Sequence, residues 1–260
     1  MTVLNAIAAE LRKLVLLPAA LVATVAGTGL TLTFTAMAMA SRRSKLDGGV
    51  PEDGRTLDLV LEMAAFGVIS VIVLGVVIIS SEYTSTTKDA GGGRQIAVSL
   101  TATPNRGVLL TAKAIVLALV SGALAIVTVG AGILISLVLL GGHAGSPGAV
   151  LAALGWRPLG AVVYWVLTAL IAFAVTVLTR SGIVPMVVFI VNTSVVSVSF
   201  LLSRVTSLAK YLPDVAGAQM FVRSYPAEVR FEPPTGGLVM AAWAAVLLAV
   251  AAGVFVRRDA

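Results

Sequence analysis

From Leu14 to Ala40 the chain runs for 27 residues without a single Asp, Glu, Lys or Arg. A hydrocarbon layer about 30 Å thick is crossed by roughly 20 apolar residues in a helix, and a charge at mid-bilayer costs about 2.5–3.5 kcal/mol on insertion scales. A run of this kind fits a membrane better than any other surroundings. Five more follow, at about Leu59 to Ser80, Val108 to Leu140, Pro158 to Thr179, Ile183 to Leu202 and Gly237 to Val256. With 58% hydrophobic and 12% charged residues, the chain carries more apolar surface than one soluble core could bury.

A closed barrel would also satisfy its backbone in lipid, but barrel strands alternate polar and apolar residues over about ten positions. Continuous apolar runs exclude that pattern. The expected fold class is all-α: a polytopic membrane protein with six transmembrane helices in a single domain over residues 1–260. Ala38-Met39-Ala40 resembles a signal-cleavage site, yet a signal core is only about 7–15 residues, so the first run is expected to stay in the protein. Glu62 and Lys113 are charges inside the runs, each close to an end, and their heads are expected to snorkel to the interface. The 18 Lys and Arg residues divide evenly between the two sides of a six-span topology, so the positive-inside rule leaves orientation open.

Catalytic groups are scarce. The chain has no cysteine and one histidine, His143, in the loop GGHAGSPG, which leaves no thiol chemistry, no zinc cluster and no Ser/His/Asp set. Gly91-Gly92-Gly93-Arg94-Gln95 lacks the Gly-Lys-Ser/Thr of a phosphate-binding loop. No catalytic, cofactor-binding or metal-binding residue is expected. The net charge of +6 suits anionic lipid head groups rather than nucleic acid, because no basic patch is interleaved with aromatic residues.

Polar side chains inside the runs fall into stripes. Thr24, Thr28, Thr31 and Thr35 share one face of the first helix, and Ser121, Ala125, Thr128 and Gly132 repeat that spacing in the third. Such stripes serve helix packing first and the lining of a substrate path second. In the fifth run, VNTSVVSVS puts Asn192, Thr193, Ser194, Ser197 and Ser199 near mid-bilayer. An amide there needs a partner helix or a wet cavity, and the two readings stand level.

Residues 81–107 are too polar to span and too long for a tight turn, a length at which loops often carry function. SEY (81–83) directly after the second run and SLTATPNRGVLLTAK (99–113) entering the third resemble the permease subunits of type-2 ABC transporters, as do AAELRKL (8–14) at the N-terminus and KYLPDVAG (210–217). The motifs are short, but they stand in the family's order and cover the chain.

That resemblance implies a division of labour. The chain would be the transmembrane permease of an exporter, paired with a second permease subunit as a homodimer or heterodimer and with two ABC-type ATPase subunits. ATP and magnesium would belong to the partner ATPase. The loop 81–107 would be a cytoplasmic coupling loop, with Glu82, Tyr83, Arg94, Pro104 and Arg106 against the ATPase. Glu10, Arg12 and Lys13 would lie on an N-terminal interfacial helix. The termini would be cytoplasmic and the membrane the plasma membrane. Thr24, Thr28, Thr31, Thr35, Asn192 and Ser199 are the possible pathway lining, and residues 203–236 would cap the outer mouth. The segment from Thr86 to Gly93 is longer than the family pattern and reads as a solvated linker. An ATP-independent secondary carrier or channel is the alternative, and the scarcity of charge within the runs counts against it.

Overall fold

In the computed structural model, residues 3–51, 55–83, 105–194, 198–203, 205–223 and 230–257 are described. Two helices open the chain, α1 (Val3–Leu16) and α2 (Pro18–Asp47). The residue before a proline is driven out of the helical region, and Leu17 is extended, with φ −76° and ψ 118°. Pro18, which has no N–H to satisfy, then sits at the first helical position of α2. The expected first span therefore loses Leu14, Val15 and Leu16 to α1.

The second run forms α3 (Thr56–Phe66) and α4 (Val68–Tyr83), separated at Gly67. The break has a side-chain cause. Trp165 donates its indole N–H to the Ala64 carbonyl at 3.1 Å, and the Gly67 amide takes the same oxygen at 3.2 Å. A side chain entering the i→i−4 ladder in this way bends a helix.

Next come α5 (Arg106–Leu140), α6 (Pro147–Leu154) and α7 (Arg157–Thr179). Asn105 caps α5 by accepting from the Val108 amide at 3.1 Å, and Ser146 caps α6 by accepting from the Ala149 amide at 3.2 Å. At its end α7 turns through Arg180 in the left-handed region, φ 52°. The remainder is α8 (Ile183–Ser194), α9 (Val198–Ser203), α10 (Pro213–Ala218) and α11 (Pro233–Arg257).

Helices α4 and α7 make the centre of the core. Ile72, Leu74, Trp165 and Phe173 are fully enclosed there, and at Gly75 a β-carbon would stand 2.5 Å from the Ala169 carbonyl. Only a residue without a side chain permits that approach. By contrast α2 and α11 bury few residues and stand at the periphery.

Among the described residues five helical stretches are long and apolar enough to cross a membrane: Pro18–Asp47, Thr56–Tyr83, Arg106–His143, Arg157–Thr179 and Pro233–Arg257. This is the outline of an all-helical, multi-pass membrane protein. Of the fifth span expected at 183–202, the described residues form α8 and α9, and residues 195–197 between them lie outside the described residues. The 12 residues of α8 rise about 18 Å, well short of a bilayer. The segment 203–236, expected to cap the outer mouth, includes α10. Within it Val215, Ala216, Gly217 and Ala218 of α10 are buried, and a β-carbon at Gly217 would meet Met240 of α11 and Tyr164 of α7.

The bundle has two distinct ends. At one, the end of α2, the end of α5 and the starts of α3 and α7 gather through Arg42 to Thr56 (2.9 Å), His143 to Asp47 (2.8 Å) and Arg157 to Asp58 (2.6 Å). At the other, α1 meets the end of α4 and the start of α5.

Candidate functional site

The end built from α1, α4 and α5 holds a buried ionic node. Helix α1 turns Ala6, Glu10 and Leu14 inward at a spacing of four, which carries Glu10 into the bundle and leaves Lys13 on its edge. Glu82 comes from the last turn of α4, and Lys113 from the second turn of α5. The Lys113 ammonium donates to Glu82 Oε1 at 2.8 Å, to Glu10 Oε2, and more distantly to the Ile78 carbonyl at 3.5 Å. Its three donors thus meet three acceptors. Lys13 also pairs with Glu82, and it lies 3.7 Å from Glu10.

Lys113 and Glu82 are 3% and 2% exposed. The snorkelling expected of Lys113 is therefore corrected. With two carboxylates at hand inside the protein, its head has no need of the interface. Among the described residues two cations and two anions meet here, a balance of the kind by which buried charge is tolerated. The space beside it, about 20 Å³, is room for roughly one water molecule. The node holds three helices together.

It also stands at the root of the expected coupling loop. That loop is described only at its margins, where Ser81–Tyr83 and Arg106–Gly107 are helical rather than looped. Arg94 and Pro104 lie outside the described residues. Glu82 faces inward. Tyr83 is half-buried, with the Arg180 guanidinium 5.9 Å from its ring centre, so the end of α4 is tied to the α7–α8 turn as well. Arg12 is exposed on α1 and Arg106 is half-buried at the head of α5.

A second feature lies near the other end, where α7, α8, α9, α10 and α11 surround a cavity of about 620 Å³. A recess of about 230 Å³ continues from it toward Glu62, Ala65 and Phe66 of α3. Asn192 stands between the two. Its Nδ2 donates to Asp214 Oδ2 at 2.7 Å, and its Oδ1 accepts from the Ser199 amide at 3.3 Å. Asn192 thus pairs with another element and also borders a cavity. Ser199 lines the same cavity. Behind it, Arg157 is bonded to both Asp58 and the Phe221 carbonyl, and Phe221 packs on Tyr164 with ring centres 5.3 Å apart.

The threonine stripe of α2 is shared between α5, which Thr28 and Thr35 approach, and the α3–α4 break, which Thr31 faces. Thr31 and Thr35 are buried and donate back to the Gly27 and Thr31 carbonyls at 2.7 and 2.8 Å. Thr28 Oγ1 lies 3.5 Å from Thr128 Oγ1. Thr24 is half-buried. Ser121, Ala125, Thr128 and Gly132 are all buried on the facing side. An open apolar groove of about 750 Å³ runs between α2 and α4, with Thr31 on its wall.

Sequence reasoning missed the node as a unit and missed Asp214. Lys113 is 103 positions from Glu10 and 31 from Glu82, so each charge read alone looks like the end of a span. For Asp214 the available signal was the amide of Asn192 in the middle of an apolar run, which required a partner. Compared with known proteins, the chain matches no family model and no curated protein.

Proposed function

We propose that this chain is the membrane-spanning permease subunit of an ATP-driven exporter, working in the plasma membrane with its termini in the cytoplasm. A second permease subunit and two ABC-type ATPase subunits would complete the assembly, with ATP and magnesium bound by the ATPases. The observation that carries the reading is the ionic node, which joins α1, α4 and α5 at the root of the segment whose motifs resemble that family's coupling loop. A partner pushing on residues 84–104 would act directly on the helices that the node clamps. Since Glu82 is buried, its part is to position that root rather than to touch the partner.

Purification of the full chain with a candidate ABC ATPase in lipid nanodiscs tests this. Copurification and a permease-dependent change in ATP hydrolysis are expected. A pair that never copurifies, or an ATPase indifferent to the permease, would sink the proposal.

One observation favours the alternative of an ATP-independent carrier: Glu62 and Asp214 both border a cavity within the helical bundle, and ionisable groups so placed often mark ion-coupled pathways. Uptake by proteoliposomes containing this chain alone, driven by an ion gradient without ATP, would decide for that reading.

A further inference from the structure

The cavity between α7, α8 and α10 has a chemical character that the permease reading leaves unspecified. Its walls are mainly apolar, with Ile171, Val187, Val191 and Met240 among them. At about 620 Å³ it falls in the range of sites that enclose drug-sized molecules. Among the described residues, the charged side chains lining it and its recess are both carboxylates, Asp214 and Glu62, and no described Lys or Arg lines either space.

Among the described residues neither carboxylate forms an ion pair. Asp214 accepts from the Asn192 amide at 2.7 Å, a neutral donor that fixes its direction and leaves its charge uncancelled. Glu62 also borders a vestibule of about 340 Å³ lined by Arg42, Lys45 and Arg55, so part of its field is spent there. The main cavity is left to Asp214. Tyr164 and Phe189 add aromatic walls, and a ring face attracts a cation within about 6 Å.

From these features we infer that the cavity binds an amphipathic organic cation, its charged head toward Asp214 and its apolar body along α7 and α8. An anion of the same shape would meet a carboxylate with no compensating cation and would be rejected. The inference deepens the permease reading by naming a substrate class. It rests on that reading for transport, and it stands independently for binding.

The test uses the full chain in nanodiscs without any ATPase, and two probes of matched shape and opposite charge, tetraphenylphosphonium and tetraphenylborate. Saturable binding above partition into empty nanodiscs is expected for the cation alone. Asp214→Asn keeps an oxygen for the Asn192 amide while removing the charge, and it should weaken cation binding by roughly tenfold or more. Val191→Trp, which fills the cavity from a half-exposed wall position, should abolish binding even if the first variant does not fold. Equal binding of the two probes, or cation binding unchanged in either folded variant, would overturn the inference. Failure of the ATPase to copurify bears only on the exporter reading, whereas an ATPase stimulated by a permease that binds no cation would overturn only the substrate class.

Discussion

Lys113 shows what one buried charge demands of its surroundings. Replacing it with Met leaves Glu10 and Glu82 enclosed without the cation that bridges them, and removing one partner of a buried ionic group typically costs about 3–5 kcal/mol. Lys113→Met is therefore expected to unfold in detergent at markedly lower denaturant, by that order of free energy. Adding Glu82→Leu removes the stranded carboxylate and leaves the Glu10–Lys13 pair, so the double variant should regain much of the loss. Denaturation of the four members of this cycle measures the coupling directly, and additive effects would contradict a shared node. None of this was legible in the sequence, where a lysine seven residues into α5 is indistinguishable from one that reaches for the head groups. What distinguishes the cases is whether a carboxylate lies within reach inside the protein, and that depends on helices far apart in the chain.

Among the elements, the second span is the instructive one. Its existence was plain from hydropathy, because apolar length is a local property, but its division into α3 and α4 depends on Trp165 from another helix. A β-carbon at Gly67 would come within 2.3 Å of the Trp165 ring. Gly67→Ala should accordingly destabilise the protein, and Trp165→Phe, which removes the indole donor, should do so by about 1–3 kcal/mol. Because the smaller ring clears part of the space, Gly67→Ala is expected to cost less in the Trp165→Phe background than in the parent. Thermal melts of the two single variants and the double variant would show it, and equal costs in both backgrounds would argue against this contact as the cause of the break. In the fifth run the polar stretch from Asn192 to Ser199 called for a partner helix or a cavity. The partner that Asn192 meets, Asp214 of α10, lies 22 positions away, a pairing that hydropathy does not encode.

For the whole molecule the two ends of the bundle define the topology. Helices α2, α3, α5 and α7 meet around Asp47, His143 and Arg157, while α1, α4 and α5 meet around Lys113. The apolar runs foretold such a layered bundle in the sequence, but even charge balance hid which end faces which compartment. Since the chain has no cysteine, single cysteines report cleanly on sidedness. His143→Cys and Arg12→Cys, both at exposed positions, are expected to react with a membrane-impermeant maleimide from opposite faces in intact cells and inverted vesicles. Under the proposed orientation His143→Cys reacts from outside. Labelling of both positions from one face would refute the two-ended bundle.

Seen as a lever, α5 has its fulcrum near one end. Lys113 lies in the second turn of a helix of 35 residues, leaving an arm of about 40 Å to Leu140. A tilt of about 5° around that point would sweep the far tip through roughly 3.5 Å. The tip is not loose: Arg43 donates to the Leu139 carbonyl at 3.1 Å, and His143 reaches Asp47, so α2 would be carried along. Small displacements at the short end of such a beam would arrive magnified at the opposite end of the bundle.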